Sequence, residues 1–265
     1  MRASRSAKSK SASRLSYVNF LERRFETDPP PQKGQRTRER LKIATAKVLS
    51  AKGYHGLRTN DVTETAGVAE GLFYVYFKDK TEASAAVLGS FLEDFVGDHF
   101  RQASGYPSAI EAIRATNRIW FALCRANTGL MRCLLQLGDE IPAFASLGQT
   151  SNHNWYVRIA SSVTRHYPEG AVDPRTALLA AYMLGAMMDE LARKLFIYPQ
   201  AELLALLREL DADDDAVADA ATVLWARLLY PGQPLPENLP PVADLLARSL
   251  SGGAAILPAE PAPQA

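Results

Sequence analysis

Apolar residues recur along this chain mainly at intervals of three and four, the spacing that lines up one face of an α-helix. The first such stretch is short. Leu15, Val18, Leu21 and Phe25 fall roughly on one side of residues 15–26, and the prolines of Asp28-Pro-Pro-Pro31 stop that helix. The period returns from Gln35 to Lys52, with Leu41, Ala44, Thr45, Val48 and Leu49 inside and Arg38, Lys42 and Lys52 outside. Gln35 and Thr37 stand near its start. Gly53 suits its C-cap, because glycine takes the left-handed geometry without steric cost. Tyr54 and Leu57 then read as plugs over a core.

The next stretch is more compressed. Thr59 is expected as an N-cap whose hydroxyl accepts a backbone N–H two or three residues on, and Asp61 sits in the first turn, where the helix dipole favours negative charge. A short helix over Asn60–Ala66 ends at Gly67, Val68 turns inward as a wedge, and Ala69–Phe77 forms a second short helix. Asp79 caps a third, starting near Lys80. Two short helices about a tight glycine-containing turn make a helix-turn-helix, whose second helix characteristically enters the major groove. Phe73 and Phe77 are four apart and share a face directed at the core, whereas Tyr74 and Tyr76 lie on other faces.

Helical periodicity continues to the C-terminal region. Thr81 to about Gln102 is one helix, broken at Gly105-Tyr-Pro107; Ser108–Asn127 is the next, with Ile113, Trp120 and Cys124 on one stripe. A shorter segment, Leu130–Leu137, follows Gly129, which is expected to break the run. Pro142–Gly148 reads as a loop, and Gln149–His166 as a helix carrying Trp155 and Ile159. Asp173 with Pro174 opens a helix to about Tyr198, in which ALLAAYMLGAMM is apolar nearly all round, more than one buried face needs. Asp213–Leu229 is the last long helix, and residues 231–265 are Pro-rich, with disorder expected beyond Leu250. The fold class is therefore all-α.

Charge changes this picture more than composition does. Residues 1–80 hold 17 Lys and Arg against 8 Asp and Glu, and the remaining 185 hold 13 against 21. One end is suited to a polyanion and the other is not. Residues 1–14 are basic, Ser-rich and free of acid, so disorder is expected there. Two cysteines, Cys124 and Cys133, are too few for a disulfide framework. The longest apolar run, Ala177–Met188, is too short to span a bilayer.

The segment 36–92, above all AGVAEGLFYVYFKDKTE (66–82), resembles the DNA-binding domain of the TetR/AcrR family of bacterial transcriptional regulators. The resemblance rests on four parts in order: the Gly53-Tyr54 pair closing the first helix, Thr59 opening the second, the Ala-Gly-Val turn (66–68), and the FYxYFxxK block from Phe73 to Lys80. It implies a basic extension at 1–34 and an N-terminal three-helix helix-turn-helix DNA-binding domain at 35–82. A larger helical ligand-binding and dimerisation domain at 83–230 and a C-terminal tail follow. It also implies phosphate contacts by Tyr74, Tyr76, Lys80 and Thr59, with Thr37 and Arg38 at the DNA from the first helix. Sequence readout falls to Ala69, Glu70, Leu72 and Val75. Here the chain departs from a common family pattern, which has Lys or Arg where Glu70 stands and Thr where Leu72 stands. Glu70 either accepts from a cytosine amino group or stays in solvent as a dipole partner; Leu72 and Ala69 offer apolar contact to thymine methyls. The Arg/Lys-rich arm before residue 41 adds phosphate or minor-groove contacts.

In the resembled family the last two long helices form a four-helix bundle with a second subunit, and a small effector binds among the helices. A homodimer is expected, with a small apolar effector near Trp120, Cys124, Met131, Trp155 and Tyr182 and a double-stranded operator as the other partner. No catalytic constellation, cofactor or metal site is expected: His55, His99, His153 and His166 show no ligand spacing, and neither a Walker loop nor a GxSxG elbow occurs. Arg114, Arg118, Arg125 and Arg132 read as a solvated face, or alternatively as an anion clamp. The resemblance places the protein in the bacterial cytoplasm at the nucleoid, without membrane attachment. The competing reading is a helical interaction protein whose basic arm binds membrane or acidic partners.

Overall fold

Side-chain caps open five of the helices, at Ser16, Asp79, Ser108, Asp173 and Asp213. The structure, a computed structural model, describes residues 14–106 and 108–251. Ser16 accepts from the Asn19 N–H and opens α1 (Tyr17–Thr27). Helix α2 (Lys33–Gly56) begins two residues earlier than the periodicity predicts. Gly53, at φ 69° and ψ 175°, interrupts it as expected of its cap. The head is completed by α3 (Thr59–Ala66) and α4 (Gly71–Tyr76). Asp79 accepts from the Glu82 N–H at 2.9 Å to start α5, which runs through Lys80–Ser90, a π-helical stretch Phe91–Val96, and Gly97–Ala103.

The body contains α6 (Ala109–Ala126), α7 (Thr128–Glu140), α8 (Pro142–His166) and α9 (Pro174–Ala192, continued by π-helical Arg193–Ile197). It is closed by α10 (Ala201–Glu209), α11 (Asp214–Leu229) and α12 (Pro241–Ser251). No strand occurs among the described residues, and no helix there is long and apolar enough to cross a membrane. Helix α2 lies along α7, α8 packs on α7 and α9, and α11 is held between α6 and α12. The π-helical stretch of α5 buries Phe91, Leu92, Phe95 and Val96 together. The first and third of these meet Tyr17 of α1, with ring centroids 5.3 and 5.4 Å away.

Two expectations about the body are overturned. Pro142–Gly148 is not a loop: proline lacks an N–H that the first helical turn would leave unsatisfied anyway, so α8 starts there and runs for 25 residues. Gly129 does not break the chain; Asn127, at φ −125° and ψ 32°, separates α6 from α7. Gly129 instead lies within α7, where a Cβ would stand 2.1 Å from the Ser50 carbonyl oxygen of α2. The Pro-rich stretch after residue 230, expected to be disordered only beyond Leu250, holds α12, whose Ala243 and Ala247 pack on Val223. The sequence beyond residue 251 and the Ser-rich stretch 1–13 lie outside the described residues.

The arginine stripe is partly a solvated face, with Arg125 and Arg132 exposed, but Arg114 and Arg118 are paired within the protein. Arg114 and Arg118 both grip the fully buried Asp219 of α11, each through Nε and Nη2, at 2.5 to 3.0 Å. Burial pushes the Asp219 carboxyl up, but the two guanidinium groups outweigh it and hold the group below its ordinary range. Arg125 pairs with Asp214, and Arg132 reaches the Ile197 carbonyl. The stripe fastens α6 and α7 to the C-terminal helices.

The Gly129 contact is testable. Replacing Gly129 with Ala forces backbone apart and is expected to cost about 1–3 kcal/mol in urea unfolding, the range for overpacking. Gly148→Ala in α8, where a Cβ meets nothing within 4 Å, is expected to be neutral or slightly stabilising. Equal stability of the two variants would contradict the close helix approach.

Candidate nucleic-acid interface and effector cavity

Helix α4 is only six residues long, and it holds its place by burying aromatic rings. Phe73 and Phe77 are fully buried, 5.8 Å apart between centroids, against a core that includes Leu41, Leu49 and Val62. This anchoring leaves the opposite side outward: Ala69, Glu70, Leu72, Tyr74 and Val75 are all exposed, Val75 by 69%. The N–H groups of Leu72 and Phe73 donate to the Ala69 and Glu70 carbonyls at 3.0 and 3.1 Å. Ala69 and Glu70 are therefore the turn that starts α4, not its first helical residues. Glu70 makes no side-chain cap bond.

Other expected contacts are redistributed. Thr59 is not the N-cap of α3; Arg58 holds that position, and Thr59 is the first helical residue. Its hydroxyl faces that of Tyr74 at 3.4 Å, linking the start of α3 to α4. Tyr76 is half-buried, with its hydroxyl over Gly34 at the start of α2. Lys80 donates to the Tyr54 carbonyl at 3.2 Å and lies 4.5 Å from that ring's centroid, so its ammonium is turned onto the end of α2. Thr37 lies one turn inside α2 and donates back to the Lys33 carbonyl. Arg38 is exposed, its guanidinium 5.4 Å from the Phe77 ring centroid.

Sequence reasoning missed Arg40. Its Nη2 donates to the Ala66 and Gly67 carbonyls at 2.6 and 3.2 Å, satisfying the end of α3 in the way a basic side chain can. Gly67 has φ +63°, where side chains are rarely tolerated, and a Cβ there would stand 3.1 Å from Arg40. The partners are 26 residues apart, so no local spacing signals the bond. The expected basic arm also changes character. Tyr17 is buried, its N–H donating to Asn127 Oδ1 at 2.8 Å, while Asn127 Nδ2 donates to the Leu15 carbonyl. Residues 17–27 are thus part of the packed fold.

A cavity of about 630 Å³ lies between α5, α6, α8, α9 and α11. Trp120 and Trp155 line it, as does Phe100, whose ring is 4.6 Å from Trp155. The other three residues expected near a ligand lie elsewhere. Cys124 is fully buried in the core, with burial pushing its thiol well up. Met131 packs within the core from α7. Tyr182 is on the outer face of α9, hydrogen-bonded to His153 Nδ1 at 2.7 Å. The unexpected lining residue is Asp189, the acid that ends the apolar run of α9.

Burial raises the Asp189 carboxyl to about 6, with side-chain hydrogen bonds from Asn152 and Tyr156 offsetting part of that effect. A carboxyl raised above its unfolded value costs stability when ionised: the penalty is absent below the unfolded value near 3.8 and complete above about 6. The stability of Asp189→Asn relative to the native chain is therefore expected to rise by up to about 3 kcal/mol between pH 4 and pH 7. Parallel pH profiles of the two proteins in chemical unfolding would contradict this environment.

Comparison with known proteins follows the same division between head and body. Residues 43–86 match the family described as bacterial regulatory proteins, tetR family. An uncharacterized HTH-type transcriptional regulator from the lacX 3′ region of Lactococcus lactis subsp. lactis is 35% identical over 57 residues, 22% of this chain and 29% of that protein. The chain is thus matched over less than a third of that relative's length. Solved structures extend the likeness to the body. A transcriptional regulator from Rhodococcus sp. Rha1 superposes with TM-score 0.57 at 18% identity, covering 72% of this chain and 96% of that one. The fatty acid degradation regulator FadR from Bacillus halodurans gives 0.54 at 17%, covering 74% and 96%. The regulator FadR from Bacillus subtilis, solved with stearoyl-CoA, gives 0.53 at 18%, covering 72% and 97%. Residues 43–86 thus match the tetR family of bacterial regulatory proteins, and the chain shares the all-helical fold of these solved regulators.

Proposed function

We propose that this protein is a ligand-responsive transcriptional repressor that binds a pseudo-palindromic operator as a homodimer. The observation that carries the proposal is the outward face of α4. Leu72 and Val75 stand free on a helix whose other side is locked into the core by Phe73 and Phe77, and Ala69 and Glu70 stand free in the turn that starts it. Such a face can approach base edges without moving the backbone. Without an Arg or Lys among them, readout rests on apolar contact to thymine methyls and on acceptance by Glu70. Tyr74, with Thr59 beside it, supplies hydroxyls for phosphate oxygens. Tyr76, Lys80, Thr37 and Arg38 act around that contact.

Assembly rests on a second exposed face. Leu179, Tyr182, Met183 and Ala186 form an outward stripe on α9. On α11, Ala220 and Leu224 are partly exposed and Leu228 is exposed, in a row of step four. Two such stripes suit a four-helix contact with a second copy, which sets the two heads on half-sites about one helical turn apart, ~34–36 Å, or a multiple of it. The effector occupies the cavity behind α5. It shifts the heads only as far as its affinities for the two head spacings differ. The proposed setting is the bacterial nucleoid.

Operator selection followed by mobility-shift titration tests the proposal. Leu72→Ala is expected to reduce discrimination between selected operator and scrambled DNA by about 1–3 kcal/mol, while Tyr74→Phe weakens binding to both alike, by roughly 1 kcal/mol. Undiminished discrimination by Leu72→Ala would remove the base-contact role. In sedimentation velocity at micromolar concentration, the native chain is expected to be a dimer and Leu179→Glu/Met183→Glu a monomer with little operator affinity. A native monomer would overturn the assembly.

A further inference from the structure

One wall of the cavity carries a carboxylate, in a lining that also holds Glu93, Arg101, Arg158 and Arg165. Asp189 faces it with only neutral donors nearby: Asn152 Nδ2 reaches Oδ2 at 3.3 Å, and the Tyr156 hydroxyl is a hydrogen-bonding partner. Among the described residues no Lys, Arg or His lies within 4.0 Å of this carboxylate. The adjacent Arg193 and Lys194 are engaged by Glu190, and Arg101, which also borders the cavity, by Asp98. Arg158 and Arg165 border the cavity without pairing with Asp189. The position of Tyr156 is built in by the sequence. A Cβ on Gly185 would stand 2.2 Å from the Tyr156 ring, so glycine lets that ring lie across α9 one turn before Asp189. Beside this carboxylate the walls are aromatic, from Phe100, Trp120, Trp155 and Trp225, and the indole N–H groups of Trp120 and Trp225 are buried without a protein acceptor.

We propose that the effector is an aromatic or polycyclic organic cation, whose protonated amine is received by Asp189 and whose rings lie against Trp155, Phe100 and Trp120. The inference rests on the cavity being the effector site. A partly buried carboxylate without a counter-charge is unfavourable by itself, and an ammonium group supplies both the charge and the missing donors. Aromatic faces attract the same cation through their quadrupoles. A ring or ether oxygen on the ligand gives the two indole N–H groups their acceptor. An anionic headgroup at this depth would meet a like charge.

Three probes with one ring system separate the possibilities: 1-pyrenemethylamine, 1-pyrenemethanol and 1-pyrenecarboxylic acid, titrated into the full chain with pyrene anisotropy and tryptophan quenching as readouts. The amine is expected to bind about tenfold or more tightly than the alcohol, with the acid weakest. Asp189→Asn is expected to erase the difference between amine and alcohol while leaving alcohol binding unchanged. Tyr156→Phe removes a neutral donor and keeps the carboxylate, so the amine preference is expected to persist there. Equal or tighter binding of the acid, or an amine preference that survives Asp189→Asn, would overturn the charge assignment and leave the cavity as an effector site. Failure of all three probes to bind would overturn the effector site as well.

Discussion

The structure depends on one close approach between backbones. Helix α2 of the head lies on α7 of the body so tightly that only glycine fits at position 129, opposite the Ser50 carbonyl. One turn on, the Cys133 thiol donates to the Leu49 carbonyl, and at the far end His55 meets Glu140 at 3.0 Å. Asn127, at the joint between α6 and α7, ties α1 to the same region through Tyr17 and Leu15. A head joined this way has little freedom to turn by itself. In the proposed effector response, a change in the body's helix packing would be carried toward α4 through this contact, because packed interfaces move between discrete arrangements more readily than they deform.

Within the body, two carboxylates, Asp219 fully buried and Asp189 partly so, are treated in opposite ways. Asp219 receives four hydrogen bonds from Arg114 and Arg118 and is held in its charged form. It fixes α11 against α6; removing one partner of such a buried pair is strongly destabilising. Asp189 receives only neutral donors and borders a cavity. The first holds the scaffold, whereas the second is the one proposed to receive a ligand. The π-helical stretch of α5 also faces both ways. In α5 the extra residue per turn keeps Phe91 and Phe95 toward α1 while Leu92 and Val96 line the cavity.

The head was legible in the sequence because its determinants are local. The face of Leu41, Ala44, Thr45, Val48 and Leu49, the Gly53 interruption, the Asp79 cap and the buried Phe73/Phe77 pair each follow from spacing within one or two turns. What failed there was also local but finer: Thr59 against Arg58 at the cap, and the start of α4. The body was less legible because its key contacts join residues far apart in the chain. Arg114 and Arg118 gave no sign that their partner was Asp219, about a hundred positions later, and Gly129 looked like a breaker because its packing against Ser50 is tertiary. Of the five residues expected near a ligand, Trp120 and Trp155 line the cavity. Cys124, Met131 and Tyr182 do not line it. Asp189 had a faint signal, as a single acid closing a long apolar run.

Coupling between cavity and reading head is the central claim, and filling the cavity covalently tests it without knowing the effector. Ile159 lines the cavity, while Cys124 and Cys133 are buried with their thiols pushed up, so an Ile159→Cys variant offers one reactive site. Operator affinity would be measured by mobility shift before and after that thiol is alkylated with a pyrene maleimide, in protein that remains dimeric. A loss of about tenfold or more in operator affinity is the result expected of a head fixed to the body through α2 and α7. Unchanged affinity with the cavity filled would contradict it.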